Sequence, residues 1–169
     1  MRFVNGAIAL VALCTRLSNA LLEEKFVSFT PGNKSLDIAG ATIIADANDF
    51  VGVHIAIKSL ADDLKQITGV KSEIRNITAN STISANSTTT PVYGKAIIVA
   101  SLNSSLVRQL SGRNGIDFSE LGGKWETFKT LVATNPLPGI SQALVIVGSD
   151  KRGTVFGIHT LAEQSGQSP

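Results

Sequence analysis

The sequence predicts an α/β (α+β-like) fold in which helices pack on a mixed β-sheet. Three observations support this class. Apolar residues recur at helical spacing through residues 50–68, and residues 96–100 are wholly apolar, as in a strand covered on both faces. Two strand patterns, 126–134 and 142–148, flank a turn with two prolines and a glycine, which predicts an antiparallel pair.

The helix over residues 50–68 is the clearest element. Its apolar stripe consists of Val53, Ile57, Leu60, Leu64 and Ile67. These positions are three or four residues apart, so they share one helical face. We expect Asp49 to cap the first turn and Gly69 to end the helix in a left-handed conformation. The charged face opposite should meet water.

The remaining elements are shorter. Strand patterns cover residues 23–30, 41–45 and 70–78, and helices are predicted over 103–110 and 153–164. Between the last strand pair and the preceding helix, the glycine-rich residues 111–123 predict a loop.

The first twenty residues have the pattern of a secretory signal peptide. Arg2 precedes an apolar run over residues 7–14, and residues 18–20 end in small side chains. A transmembrane anchor is the alternative, but the run is shorter than the ~20 residues that a span needs. We therefore expect a secreted, extracellular protein with no membrane partner, whose mature domain begins at residue 21.

Charge and cysteine content exclude several classes of function. The 15 basic residues include Arg2 and Arg16, so residues 21–169 carry 13 basic and 13 acidic residues. This balance argues against a nucleic-acid partner. The single cysteine, Cys14, lies in the predicted signal, which leaves no thiol for a disulfide or a zinc site. We expect no metal and no cofactor, because His54 and His159 also lack ligand spacing.

Residues 78–91 are almost entirely Ser, Thr, Asn and Ala, which predicts an exposed polar loop insertion. Five N-glycosylation sequons occur, at Asn33, Asn76, Asn80, Asn86 and Asn103. We expect modification first at the two within the polar tract. Alternatively, sequons arise by chance in a sequence rich in Ser, Thr and Asn, and Asn103 is a helix cap.

Four segments resemble one enzyme family. They are residues 62–70 (DDLKQITGV), 97–102 (IIVASL), 122–128 (GGKWETF) and 143–164 (ALVIVGSDKRGTVFGIHTLAEQ). Together they resemble the N-terminal domain of glycoside hydrolase family 115, the xylan α-1,2-glucuronidases. The resemblance covers most of the chain after the predicted signal.

This resemblance implies a non-catalytic accessory domain over residues 21–164. In the family, a separate (β/α)8 barrel supplies the carboxylates that remove glucuronic or 4-O-methylglucuronic acid from xylan. Residues 165–169 would begin the linker to that barrel, so we expect a truncated fragment that is inactive alone. Its partners would be the barrel and, through the full-length enzyme, glucuronoxylan; the isolated domain could self-associate.

Two other functions stay open. One is a stand-alone secreted carbohydrate-binding module, and the other is the equivalent domain of a different exo-glycosidase. No catalytic residue is assigned, because no two carboxylates are committed to one cleft by the sequence. Trp125 either stacks on sugar or packs beside the Gly122–Gly123 pair.

The candidate site residues lie where a strand meets a helix. Asp150, Lys151, Arg152 and Gly153 follow the apolar strand 142–148. The basic pair could face a substrate carboxylate or a domain interface near the helix N-terminus. The alternative is a tight connection in which Asp150 caps the helix, the glycine permits close packing, and the basic residues are solvated.

Overall fold

The structure is a computed structural model that describes residues 26–28, 35–78 and 94–166. Its strands are β1 (Thr42–Asp46), β2 (Ile74–Ile77), β3 (Lys95–Ser101), β4 (Phe128–Thr134) and β5 (Gln142–Gly148). Its α-helices are α1 (Val51–Thr68), α2 (Ser105–Asn114) and α3 (Lys151–Gln164), and a 3-10 helix spans Ser119–Leu121.

The strands of the described residues form one mixed sheet in the order β2-β1-β3-β5-β4. β1, β2, β3 and β5 run parallel, and β4 pairs antiparallel with β5 from Phe128 opposite Gly148 to Thr134 opposite Gln142. The predicted fold class and antiparallel pair are therefore confirmed. The turn between the pair contains left-handed Asn135 and Gly139, with φ of 50° and 79°.

Each face of the sheet carries its own apolar core. On one face, α1 and α3 cover Ile43, Ile97 and Ile146. On the other, α2 and the 3-10 helix cover Ile44 and Ile98. Successive strand residues point to opposite faces, so burial on both faces requires the uninterrupted apolar runs seen in β3 and β5. The sheet is thus a rigid central layer between helices.

Helix α1 matches its predicted range, and Gly69 ends it in the left-handed region at φ 73°. The predicted cap by Asp49 is wrong, because no side chain caps α1 and Phe50 is its N-cap residue. The Asp49 carboxylate instead accepts hydrogen bonds from the backbone N–H and the hydroxyl of Ser101, at 2.8 and 2.7 Å. A long-range partner has taken the place of the local one.

Three predicted ranges need more than a two-residue shift at one end. Within the predicted strand 23–30, Phe26–Ser28 is not a strand: the Phe26 and Val27 N–H groups donate to the side-chain carboxamide of Gln164 instead of a neighbouring strand. Helix α2 begins after the cap Ser104 rather than at 103, and it runs four residues into the predicted loop 111–123.

The third correction concerns the strand predicted over residues 70–78. It is formed only at Ile74–Ile77, because β1 offers pairing partners only from Ile43 to Asp46. The predicted signal 1–20, residues 79–91 of the polar tract and residues 167–169 of the predicted linker lie outside the described residues. Over the ranges described, no helix is long and apolar enough to cross a bilayer.

Asp46 joins the end of β1 to the start of α2. Its buried carboxylate accepts the Ser105 and Leu106 N–H groups at 2.8 and 3.2 Å, and the Ser105 hydroxyl at 2.5 Å. Burial alone would raise the pKa of Asp46, but the Ser105 hydroxyl and the backbone donors of Asn48, Leu106 and Ser105 outweigh burial and lower that pKa. The residue therefore acts as an ionised cap from outside the helix.

Replacing Asp46 should destabilise the protein strongly. Asp46→Ala leaves several buried donors without an acceptor, so we expect a loss of about 2–4 kcal/mol in the free energy of unfolding. Asp62→Ala, on the exposed face of α1, is the matched control and should change it by less than about 0.5 kcal/mol. Urea unfolding measures both; equal losses in the two variants would contradict this role of Asp46.

Candidate functional site

The carboxyl ends of the parallel strands meet at one edge of the sheet. In the order β2-β1-β3-β5-β4, the direction in which strands are added reverses between β1 and β3. Ligands of open α/β sheets commonly bind at such a point. A cleft of about 320 Å³ lies there, and Asp46, Asp49, Ser101 and Arg108 are among its lining residues.

The carboxylates of this first cleft are already engaged. As described above, Asp46 accepts hydrogen bonds from Ser105 at the start of α2, and Asp49 accepts hydrogen bonds from the N–H and hydroxyl of Ser101. The Ser101 hydroxyl also lies 3.0 Å from that of Thr154, which donates to the carbonyl of Asp150 at 2.8 Å. Polar contacts therefore run from the β1–α1 loop through β3 to the start of α3, and they serve the fold.

The β5–α3 turn is built around Asp150. Its carboxylate accepts the Gly153 N–H at 2.8 Å, which caps α3, and the Glu126 N–H at 3.0 Å. The Glu126 and Gly153 N–H groups lower the pKa of Asp150, and the charge of Arg152 adds to this effect. Because this carboxylate occupies the helix N-terminus, an external anion would meet the neighbouring side chains instead.

The segment before β4 is fixed to this turn. The Ser149 N–H donates to the Thr127 carbonyl at 2.8 Å, and the Thr127 N–H donates to the Ser149 hydroxyl at 3.1 Å. Gly153 lies so close that a Cβ there would be 2.3 Å from the Thr127 carbonyl oxygen. The glycine thus permits backbone-to-backbone packing between the two segments.

Trp125 protrudes from this fixed segment. Its side chain is 85% exposed, so packing does not explain the residue, and that alternative is wrong. The next residue, Glu126, has a positive φ of 53°, and its carboxylate pairs with Arg152 at 2.8 Å. The Arg152 guanidinium lies 6.0 Å from the centre of the Phe156 ring, at the limit of a cation–π contact. The surroundings of Trp125 are ordered by charge pairing and hydrogen bonds.

A second cleft, of about 420 Å³, lies beside Trp125. Its lining residues are Gly123, Lys124, Trp125, Glu126, Ser149, Asp150 and Arg152. We call it the Trp125 cleft. The structure brings two of the predicted site residues, Asp150 and Arg152, into this cleft, while Gly153 is buried behind it and Lys151 is exposed at the start of α3.

The predicted glycosylation sites fall in different places. Asn76 is exposed on the edge strand β2, and Asn103 is exposed in the turn after β3. Asn103 is not the helix cap. The side chain of Ser104 caps α2 by accepting the Val107 N–H. Asn33, Asn80 and Asn86 lie outside the described residues.

Among residues 26–28, 35–78 and 94–166, no three His, Cys, Asp or Glu side chains could hold a metal ion together. His54 is half-buried and His159 is exposed, each on a helix. Sequence reasoning missed the roles of Asp46 and Asp49 at the sheet edge. No local pattern signalled these roles, because Asp46 accepts from Ser105, 59 residues away in sequence, and Asp49 accepts from Ser101, 52 residues away.

No protein-family model and no curated protein matches the chain. A solved structure described as a novel family GH115 4-O-methyl-α-glucuronidase, with specificity for decorated arabinogalactans, aligns with 76% of this chain. The TM-score is 0.52 and the sequence identity is 24%. The fold is similar to one part of that enzyme. The aligned region makes up only 14% of the enzyme's chain, so the likeness concerns a small domain of a much larger protein.

Substituting Gly153 should loosen the site, whereas a matched glycine should not. In Gly153→Ala, the new Cβ would collide with the Thr127 carbonyl, and we expect a loss of about 1–3 kcal/mol in unfolding free energy. Gly112→Ala, in α2 with open space around it, should gain about 0.5–1 kcal/mol from helix propensity. Thermal unfolding of both variants checks this; a stabilised Gly153→Ala would refute the close packing.

Acid should weaken the fold through Asp150. Because its pKa is lowered in the folded state, its stabilising contribution is complete above the unfolded-state value of about 3.9 and is lost as the pH falls below it. Urea unfolding between pH 6 and about pH 3 should show that Asp150→Asn, which retains a capping oxygen, loses less stability than the unmodified chain. Parallel losses in both proteins would contradict the assignment.

Proposed function

We propose that this chain is the non-catalytic N-terminal domain of a secreted glycoside hydrolase similar to family 115. The main support is the share of each chain that aligns. A five-stranded α/β unit that fills most of this chain corresponds to a small fraction of a glucuronidase. The whole enzyme would remove glucuronic or 4-O-methylglucuronic acid from a decorated polysaccharide, with glucuronoxylan as the first candidate and decorated arabinogalactan as the second.

The engaged carboxylates support a non-catalytic role. Most glycosidases need two carboxyl groups about 5–9.5 Å apart, both available to the sugar. At the carboxyl edge, Asp46, Asp49 and Asp150 instead accept hydrogen bonds that hold strand and helix ends. A group committed in this way with a lowered pKa, as in Asp46 and Asp150, is a poor general acid near neutral pH.

The partner in this proposal is the catalytic barrel of the same polypeptide. Lys151 and Arg152 are exposed at the start of α3. Lys151 is available to a substrate carboxylate or to that barrel, whereas Arg152 is paired with Glu126. Secretion forms part of the proposal, and it is motivated by the signal-like residues 1–20 and the sequons. Without the barrel, the domain could self-associate through surface that the barrel would cover.

The second candidate function is a stand-alone carbohydrate-binding module. Trp125 favours it, because a large aromatic side chain held out into solvent is otherwise unexplained by packing. A third candidate is the equivalent domain of a different exo-glycosidase. The reading frame beyond codon 169 would distinguish it from the other two.

The leading proposal predicts that the chain alone is inactive. Purified chain should release no glucuronic or 4-O-methylglucuronic acid from glucuronoxylan or decorated arabinogalactan, as measured by anion-exchange chromatography of the products. The transcript beyond codon 169 should encode a linker and a (β/α)8 barrel, and the extended protein should release the acid. Release by the chain alone, or a transcript that stops at codon 169, would overturn the proposal.

A further inference from the structure

We propose that the Trp125 cleft binds a pyranose ring of the polysaccharide, with the indole as a stacking platform and Lys124 directed to an acidic substituent. The inference rests on the proposed function only for the class of ligand, a uronic-acid-decorated polysaccharide. It adds a substrate contact to a domain that carries no catalytic group. The cleft belongs wholly to this chain, so the chain by itself can test it.

The rigid presentation of Trp125 is the first argument. After the ring, the Trp125 carbonyl accepts the Thr127 hydroxyl at 2.9 Å, and the Glu126 N–H donates to Asp150. Before the ring, the Lys124 N–H donates to the Leu121 carbonyl at 3.2 Å. Glu126 also remains at positive φ, which costs free energy in a residue other than glycine. An exposed aromatic ring on a pre-ordered backbone loses little entropy when a ligand binds.

The chemistry around the ring is the second argument. Every side chain lining the cleft besides the indole is polar or charged, namely those of Lys124, Glu126, Ser149, Asp150 and Arg152. A protein partner would favour a contiguous apolar patch. A lone indole surrounded by hydrogen-bonding groups suits a ligand with one C–H face and a rim of hydroxyls, which describes a pyranose. The volume of about 420 Å³ is within the range of small-ligand sites.

Charge selects among pyranoses. Arg152 is paired with Glu126, and the carboxylate of Asp150 is held by backbone N–H groups. Over the described residues, no acidic side chain lies within salt-bridge distance of Lys124. This ammonium is therefore the cation of the cleft that is available to an external carboxylate, and we expect a uronic-acid-bearing oligosaccharide to bind more tightly than a neutral one.

Intrinsic fluorescence provides a direct test, because Trp125 is the single tryptophan of the chain. Titration of the full chain with a glucuronosyl xylo-oligosaccharide should change the intensity or shift the emission to shorter wavelength, in a saturable manner. Unsubstituted xylo-oligosaccharide should act at higher concentration. The signal belongs to the proposed site, so a saturable change reports binding at the Trp125 cleft.

Variants separate stacking from charge. Lys124→Gln should weaken binding of the acidic oligosaccharide about three- to five-fold and leave the neutral one unchanged. Lys58→Gln, an exposed lysine on α1, is the matched control and should leave both unchanged. Trp125→Ala, which removes the reporter, is assayed by affinity electrophoresis in glucuronoxylan gels and should lose its retardation. Its circular dichroism should be unaltered, because the side chain packs on little.

Two results would overturn the inference. One is the absence of a fluorescence change with either oligosaccharide up to about 10 mM, and the other is unchanged retardation of Trp125→Ala. A third result would also overturn it: the chain binds the separately produced catalytic part but no sugar, and Trp125→Ala loses that binding. The ring would then serve domain docking. An active extended enzyme together with any of these results would leave the proposed function standing and remove only the sugar site.

Discussion

Hydrogen bonds that backbone N–H groups donate to carboxylates at the carboxyl edge of the sheet organise this protein. Asp46 holds the first turn of α2, Asp49 holds the end of β3, and Asp150 holds both α3 and the segment before β4. Each carboxylate satisfies donors that burial would otherwise leave unpaired, at a point where a strand must connect to a helix. The apolar layers can pack closely because these ends are fixed.

The same interactions limit what the edge can do chemically. Acids that serve as backbone acceptors have lowered pKa values where a shift is resolved, at Asp46 and Asp150, and they remain ionised at neutral pH. They stabilise the fold rather than transfer protons. Among the large apolar side chains of the described residues, the most exposed is Trp125, on a segment anchored through Thr127 and Ser149. This arrangement agrees with the proposed role, a scaffold that presents a surface to a substrate or to another domain.

Much of the fold could be predicted from local pattern. The helix α1, its glycine terminator Gly69, the fully buried β3 and the antiparallel β4–β5 pair all follow from periodicity and turn chemistry. Two of the predictions that were wrong concern residues whose partners are distant in sequence. Asp49 bonds to Ser101 instead of capping α1, and Phe26 and Val27 bond to Gln164 instead of joining the sheet.

The amino-acid sequence by itself determined the fold class, because alternation and helical spacing record which faces are buried. It also predicted Asp150 as a helix cap, since an acid between a strand and a helix suits that position. Only the tertiary structure decided that Trp125 is exposed and that Asp150 also holds Glu126. These facts depend on the register of the β4–β5 pair, with Phe128 opposite Gly148, which the turn pattern does not specify.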